Sequence, residues 1–141
     1  MIVLDTNVLS ELMRNQPLES VVDWVNSQPA TTLYITSITQ AEILYGVRQL
    51  PKGKRRDAIA AAADEVFEQD FAGRILAFGS DSAVLYATIA SARRRAGRPI
   101  SAFDAQIAAI ARSNGADLAT RNVDDFVGCG LSLINPFRAR P

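Results

Sequence analysis

The sequence predicts an α/β fold: a three-layer α/β/α sandwich around a central, mainly parallel sheet. Three observations predict it. Short apolar runs rich in β-branched residues alternate with amphipathic helical stretches along the whole chain. No repeat, low-complexity tract or linker divides its 141 residues, a length that suits a single domain over 1–141. Hydrophobic residues make up 48% of the chain, enough to cover both faces of a buried sheet.

The elements follow in order. Ile2 to Leu4 reads as a buried strand, and a short helix follows from about Val8 to Met13. Pro17 suits the first position of a second helix whose inward face carries Leu18, Val21, Val22 and Val25. Leu33 to Thr36 is a second strand. Ser37, with Gln40 three residues on, has the spacing of a capping box. The helix it opens places Ile38, Ala41, Leu44 and Tyr45 at the spacing of one inward face. Lys52 to Asp70 is alanine-rich and helical, and Arg74 to Phe78 is a third strand. Ser80 caps a helix that runs to about Arg95 and is stopped by Gly97 and Pro99. Ser101 caps the next, with Ala105, Ile107, Ala108, Ile110 and Ala111 inward, and Gly115 ends it. Ala116 to Thr120 and Leu131 to Ile134 complete the strands, and the tail after Pro136 is expected to fray.

Composition removes several chemistries. The chain has no histidine, which excludes imidazole bases, Ser-His-Asp triads and histidine-bound zinc. Its one cysteine, Cys129, excludes an internal disulfide and thiolate zinc cages. A metal site here would use oxygen ligands, which suit magnesium, manganese or calcium. No apolar stretch approaches the roughly 20 residues of a membrane span, and no signal peptide opens the chain. The expected compartment is the cytoplasm. With 15 basic and 15 acidic side chains, the net charge is zero, which does not favour a nucleic-acid binder. The basic residues are nevertheless clustered, as Lys52, Lys54, Arg55 and Arg56 and as Arg93, Arg94, Arg95 and Arg98.

In parallel sheets the functional cleft lies beyond the carboxyl ends of the strands. Asp5 stands at the end of the first strand, where it would point into that cleft or cap the following helix. Glu42 lies in the first turns of the helix after the second strand, where Thr39 and Glu42 also have capping-box spacing. Gly46, one turn further, costs about 1 kcal/mol relative to alanine in a helix interior; close backbone packing beside Glu42 would account for it. Asp104 follows Ser101 by three residues, next to Phe103, in a setting read as largely buried, where a lone carboxylate is costly. Thr120, Arg121 and Asn122 close the late strand, with Asp124 and Asp125 after them. Each acid alone has a structural explanation. Together they converge on one sheet edge, where a cation would offset their repulsion. Such a site could hold magnesium with several waters, open to phosphate oxygens. Glu42 is then the side chain best suited to align or deprotonate water.

These residues resemble the ordered motifs of PIN-domain proteins. The stretches are Ile2-Val3-Leu4-Asp5-Thr6-Asn7, Ala41-Glu42-Ile43-Leu44-Tyr45-Gly46, Phe103-Asp104-Ala105-Gln106-Ile107-Ala108, Ala119-Thr120-Arg121-Asn122 and Asp125-Phe126. More narrowly they are similar to VapC toxins of bacterial toxin–antitoxin pairs, and among those to the FitB-like members. The resemblance spans nearly the whole chain. It implies a magnesium- or manganese-dependent endoribonuclease that acts on RNA. It implies a homodimer held inactive by a small VapB-like antitoxin, which alone would bring the complex to operator DNA. Asp5, Glu42 and Asp104 match the family's acidic triad, with Asp5 and Asp104 as the metal ligands. Asn122 stands where many members carry a fourth acid, and Asp124 or Asp125 could serve in its stead. Thr6 and Thr120 would orient the acids.

The basic clusters have two readings: contact with RNA phosphates, which salt would weaken steeply, or an ordinary solvated surface. The aromatic residues do not interleave with them, so no base-stacking platform is readable. Two other functions compete with the nuclease. One is a regulatory component of an antitoxin-containing complex on DNA. The other is a magnesium-dependent phosphatase, which usually wants a second Asp where this chain has Asn7.

Overall fold

A computed structural model describes residues 1–138. Five strands form one sheet in the order β3-β2-β1-β4-β5. They are β1 (Ile2–Leu4), β2 (Leu33–Thr36), β3 (Ile75–Leu76), β4 (Asp117–Ala119) and β5 (Leu133–Ile134), and every pairing is parallel. Val3 sits opposite Tyr34 on one side and Leu118 on the other. The helices are α1 (Thr6–Leu12), α2 (Glu19–Asn26), α3 (Ser37–Arg48), α4 (Lys54–Glu65), α5 (Ser80–Arg95) and α6 (Ala102–Ser113).

Strand alternation divides the core in two. Leu4, Ile35 and Ala119 face one layer, with Val8 and Leu9 of α1, Val21 and Trp24 of α2 and Ala63 of α4. Val3 and Leu118 face the other, with Ile89 of α5 and Ile107, Ala108 and Ala111 of α6. The predicted sandwich is therefore present. From β1 the chain moves outward to β2 and then β3. It then returns across the sheet to place β4 on the other side of β1. The connections diverge between β1 and β4, which puts the crevice at the carboxyl ends of those two strands.

Several local expectations give way to the structure. Helix α2 starts at Glu19, not at Pro17, and its buried residues are Val21 and Trp24. The backbone N–H of Leu18, at its N-cap, donates to the buried Glu11 carboxylate at 3.0 Å, and Leu18 is 46% exposed. Thr36, not Ser37, caps α3, because its side chain accepts the Thr39 N–H. Gly79 occupies the N-cap position of α5, and Ser80 is already helical. Helix α3 turns a different face inward from the one expected. Thr39 and Val47 are buried, Ile38 and Ile43 pack against the core, and Leu44 and Tyr45 are exposed. Gly46 has no neighbour within 4 Å of where a Cβ would stand, so close packing does not explain it. Phe103 is exposed as well. The tail is partly docked: Phe137 packs on the core and its N–H donates to the Asn135 side chain at 3.0 Å. The rest of the tail, 139–141, lies outside the described residues.

Candidate functional site

The crevice between β1 and β4 opens into a cleft of about 520 Å³ lined by Asp5, Thr6, Asn7, Glu42, Asp104 and Asn122, with Ser10, Glu11, Arg14 and Arg121 around it. The structure thus brings all four sequence-predicted site residues to one cleft. Asp124 and Asp125 do not line it. They belong to the short 3-10 turn over Val123–Phe126, whose Phe126 is buried.

Asp5 is both an N-cap and a member of the cleft. Its backbone N–H continues the sheet by donating to the Ala119 carbonyl at 2.9 Å. Its Oδ1 accepts the Thr6 N–H at 2.8 Å, which caps α1. Its Oδ2 accepts the Thr120 hydroxyl at 2.8 Å and the Asn7 amide at 3.3 Å. Burial, followed by repulsion from Asp104 and Glu42, pushes the Asp5 carboxyl up from 3.8 to about 6, although the bonds from Thr120 and Thr6 oppose the shift. The side chain is only 4% exposed, so below about pH 6 it keeps its proton, and above that it carries a buried charge that a cation would offset.

Glu42 projects from α3, and its Oε1 accepts the Thr6 hydroxyl at 2.8 Å. Thr6 therefore holds two acids, Asp5 through its backbone and Glu42 through its side chain. On the opposite wall Asp104 is half-buried in the first turn of α6, and its N–H donates to the Ser101 hydroxyl at 3.2 Å. Burial raises the Asp104 carboxyl, and Asp125 adds to this, while Ser101 and Arg93 pull it down. Asn122 is exposed, and its N–H donates to the Thr120 hydroxyl at 3.1 Å. Asn7 ties the two strand ends together, since its Oδ1 accepts the Arg121 N–H at 3.2 Å.

The donor set is made of oxygens and suits a hard divalent ion. Among the described residues no three acids close into an all-protein metal cage. The cleft instead resembles a site in which few carboxylates bind directly and water completes the shell, as magnesium prefers.

One residue of the basic clusters has a role that the sequence did not reveal. Arg93 is buried. Its Nε donates to the Arg98 carbonyl at 2.6 Å, and its Nη1 donates to the carbonyls of Asp125 and Val127 at 2.7 and 2.8 Å. It fastens the 3-10 turn behind the Asp104 wall. Within a run of three arginines nothing in the sequence distinguishes it. Arg94 and Arg95 are exposed, as are Lys52, Lys54 and Arg55. Thr39 was also missed as a site residue, because its spacing to Glu42 suggested only a cap. It lies behind Thr6, fully buried.

Comparison with known proteins agrees with this fold. The family model described as PIN domain matches residues 2–127. The chain is 41% identical over 139 residues to plasmid stability protein StbB of Pseudomonas syringae pv. tomato, covering 99% of this chain and 100% of the relative. It is 39% identical over 137 residues to VapC ribonuclease Y4jK of Sinorhizobium fredii, covering 97% and 98%. Its backbone superposes on a chain of the solved structure of FitAB bound to an IR36 DNA fragment with a TM-score of 0.93, at 38% identity, covering 100% of this chain and 99% of that one. Among the described residues no helix is long and apolar enough to cross a membrane. The family model over residues 2–127 and 41% identity to a relative matched along its whole length make the chain a member of the PIN-domain family.

Proposed function

We propose that residues 1–141 act as one PIN domain and as the toxin of a toxin–antitoxin pair, a divalent-metal-dependent endoribonuclease. The observation that carries this reading is the buried Asp5 carboxyl, pushed up to about 6 in a cleft it shares with Glu42 and Asp104. Asp5 and Asp104 would hold magnesium or manganese, with Asn122 offering an amide oxygen beside them. The bound ion would supply positive charge where negative charge develops on the phosphate. Glu42, oriented by Thr6, would accept the proton of the attacking water. Water oxygen then bonds to phosphorus, one P–O ester bond breaks, and the departing oxygen takes a proton from solvent. Arg14 and Arg121 at the cleft are the nearest cations for neighbouring phosphates.

The same reading includes a homodimer, inhibition by a small VapB-like antitoxin, and a cytoplasmic setting. The exposed Leu44 and Tyr45 on α3, Val84 on α5 and Phe103 on α6 supply apolar surface for such partners. Solved relatives that are antitoxin complexes bound to DNA favour a second role in which the antitoxin carries this chain to operator DNA. An assay of the free protein separates the two. With magnesium or manganese it should cleave structured RNA, and a chelator should stop it. A pure, folded, antitoxin-free protein that cleaves no RNA with either metal would leave only the DNA-bound role.

A further inference from the structure

Behind Thr6 runs a line of threonine hydroxyls, Thr39 and Thr36, that the chemistry above does not use. Thr39 Oγ1 lies 2.9 Å from Thr6 Oγ1, which donates to Glu42 Oε1 at 2.8 Å. Thr36 Oγ1 donates to Thr39 Oγ1 at 3.5 Å and accepts the Thr39 N–H at 3.1 Å. Thr36 and Thr39 are each 0% exposed, so no solvent competes for these bonds.

The proton count gives the line a direction. A hydroxyl has one proton to donate, and an ionised carboxylate only accepts. The Thr6 proton is committed to Glu42. Thr39 must therefore donate to Thr6, and its own oxygen is left to accept from Thr36. Each donation polarises the next hydroxyl toward the carboxylate. Thr36 also fixes where Thr39 sits, because the same oxygen caps α3. Among the described residues no protein group donates to Glu42 Oε2, so that oxygen is left for water.

We propose that Thr39, anchored by Thr36, is a positioning residue for Glu42. By donating to Thr6 it commits the Thr6 proton to Oε1 and holds the carboxyl group in one orientation with Oε2 unengaged. An aliphatic side chain would fill the same space without that constraint. The proposal rests on the reading in which Glu42 handles the proton of water during RNA cleavage.

The test compares Thr39→Val with Thr39→Ser in the full chain, using a structured RNA and manganese. Thr39→Val should lower kcat by about 10- to 100-fold, as lost outer-layer hydrogen bonds do elsewhere, while KM for RNA changes little. Thr39→Ser, which keeps the hydroxyl, should restore most of the rate. In a Glu42→Gln background Thr39→Val should add no further loss. Wild-type kcat in folded Thr39→Val, or the same fold-loss in the Glu42→Gln background, would overturn the proposal. Should Thr39→Val not fold, Thr39→Ala carries the same comparison. A second readout needs no cleavage. The carboxyl carbon resonance of Glu42, followed by NMR at fixed pH, should move in Thr39→Val and stay in Thr39→Ser; an unmoved resonance in Thr39→Val sinks the relay. If the wild-type protein cuts no RNA, the nuclease reading fails while the resonance still decides the relay.

Discussion

The two walls of the cleft are built differently. On the β1/α3 wall Asp5 and Glu42 are held by side chains and backbone at 2.8 Å, through Thr6 and Thr120. On the α6/β4 wall Asp104 is half-buried, and the capping bond uses its backbone N–H, not its carboxylate. Asn122 is exposed on the same wall. One wall is preorganised and keeps its carboxylates in place without a ligand. The other is held more lightly: Ser101 is the hydrogen-bonding side chain that lowers the Asp104 carboxyl, and Asn122 is fixed through its backbone N–H with its side chain exposed. An ion or a phosphate entering the cleft would meet fixed oxygens first and draw the more adaptable ones in, so the ordering cost falls mostly on one wall.

The sharpest way to break the contrast is at Asp5. Asp5→Asn keeps a side chain that can still cap α1 but removes the charge, and should lower RNA cleavage by about a thousandfold or more. Retention of cleavage would remove Asp5 from the chemistry. The same variant tests the burden of burial. The folded-state carboxyl lies at about 6 against 3.8 for the free group, so within that window the folded protein holds a proton that the unfolded chain has released. Stability of the metal-free protein should then fall as pH rises from about 4 to 6, by on the order of 2–3 kcal/mol at about 1.4 kcal/mol per pH unit, and level off above. Urea midpoints measured across that range in a chelating buffer should show the slope in the wild type and a shallower one in Asp5→Asn, where the raised Asp104 carboxyl still contributes. Divalent ions should offset more of the loss above pH 6 than below it, since they replace the proton.

Next in size is the support of the adaptable wall. Arg93→Met fills similar volume but leaves three carbonyls without their charged donor, and should cost about 2–4 kcal/mol in chemical denaturation. A near-neutral result would mean that the 3-10 turn stands without it. Asn122→Asp adds a carboxylate to the same wall and should tighten manganese binding by about tenfold, because affinity follows the charge of the ligands. Calorimetric titration reads this directly, and unchanged affinity would place residue 122 outside the ion's reach. Smallest is Gly46→Ala. With open space at the Cβ position and no unusual φ, alanine should stabilise α3 by about 0.5–1 kcal/mol; destabilisation would point to a contact that this surface makes only in an assembly.

What could be read in advance divides along similar lines. The sheet and its crevice were legible because apolar runs such as Ile2 to Leu4 end abruptly in polar residues, and strand ends in parallel sheets share an edge. Asp5, Glu42, Asp104 and Asn122 were placed together by that rule and by the order of the family motifs. The exposed face of α3 was not legible. Leu44 and Tyr45 are apolar whether they face a core or a partner, and helical spacing reports a shared face without saying what covers it. Arg93 was hidden for the converse reason, since a charged run reads as solvated until one member is seen turning inward. Caps slipped by one residue at Ser37 and Ser80 because neighbouring small polar residues are nearly equivalent in sequence.

The buried Trp24 offers a practical consequence. It is the only tryptophan in the chain, packed in the layer that also holds Phe137, and its indole N–H has no hydrogen-bond partner among the described residues. Its fluorescence should therefore be blue-shifted in the folded protein and move to the red when that layer opens. A single intrinsic chromophore can thus follow the unfolding curves proposed above without a label. It sits away from the cleft, so its signal would report the scaffold and not the ion.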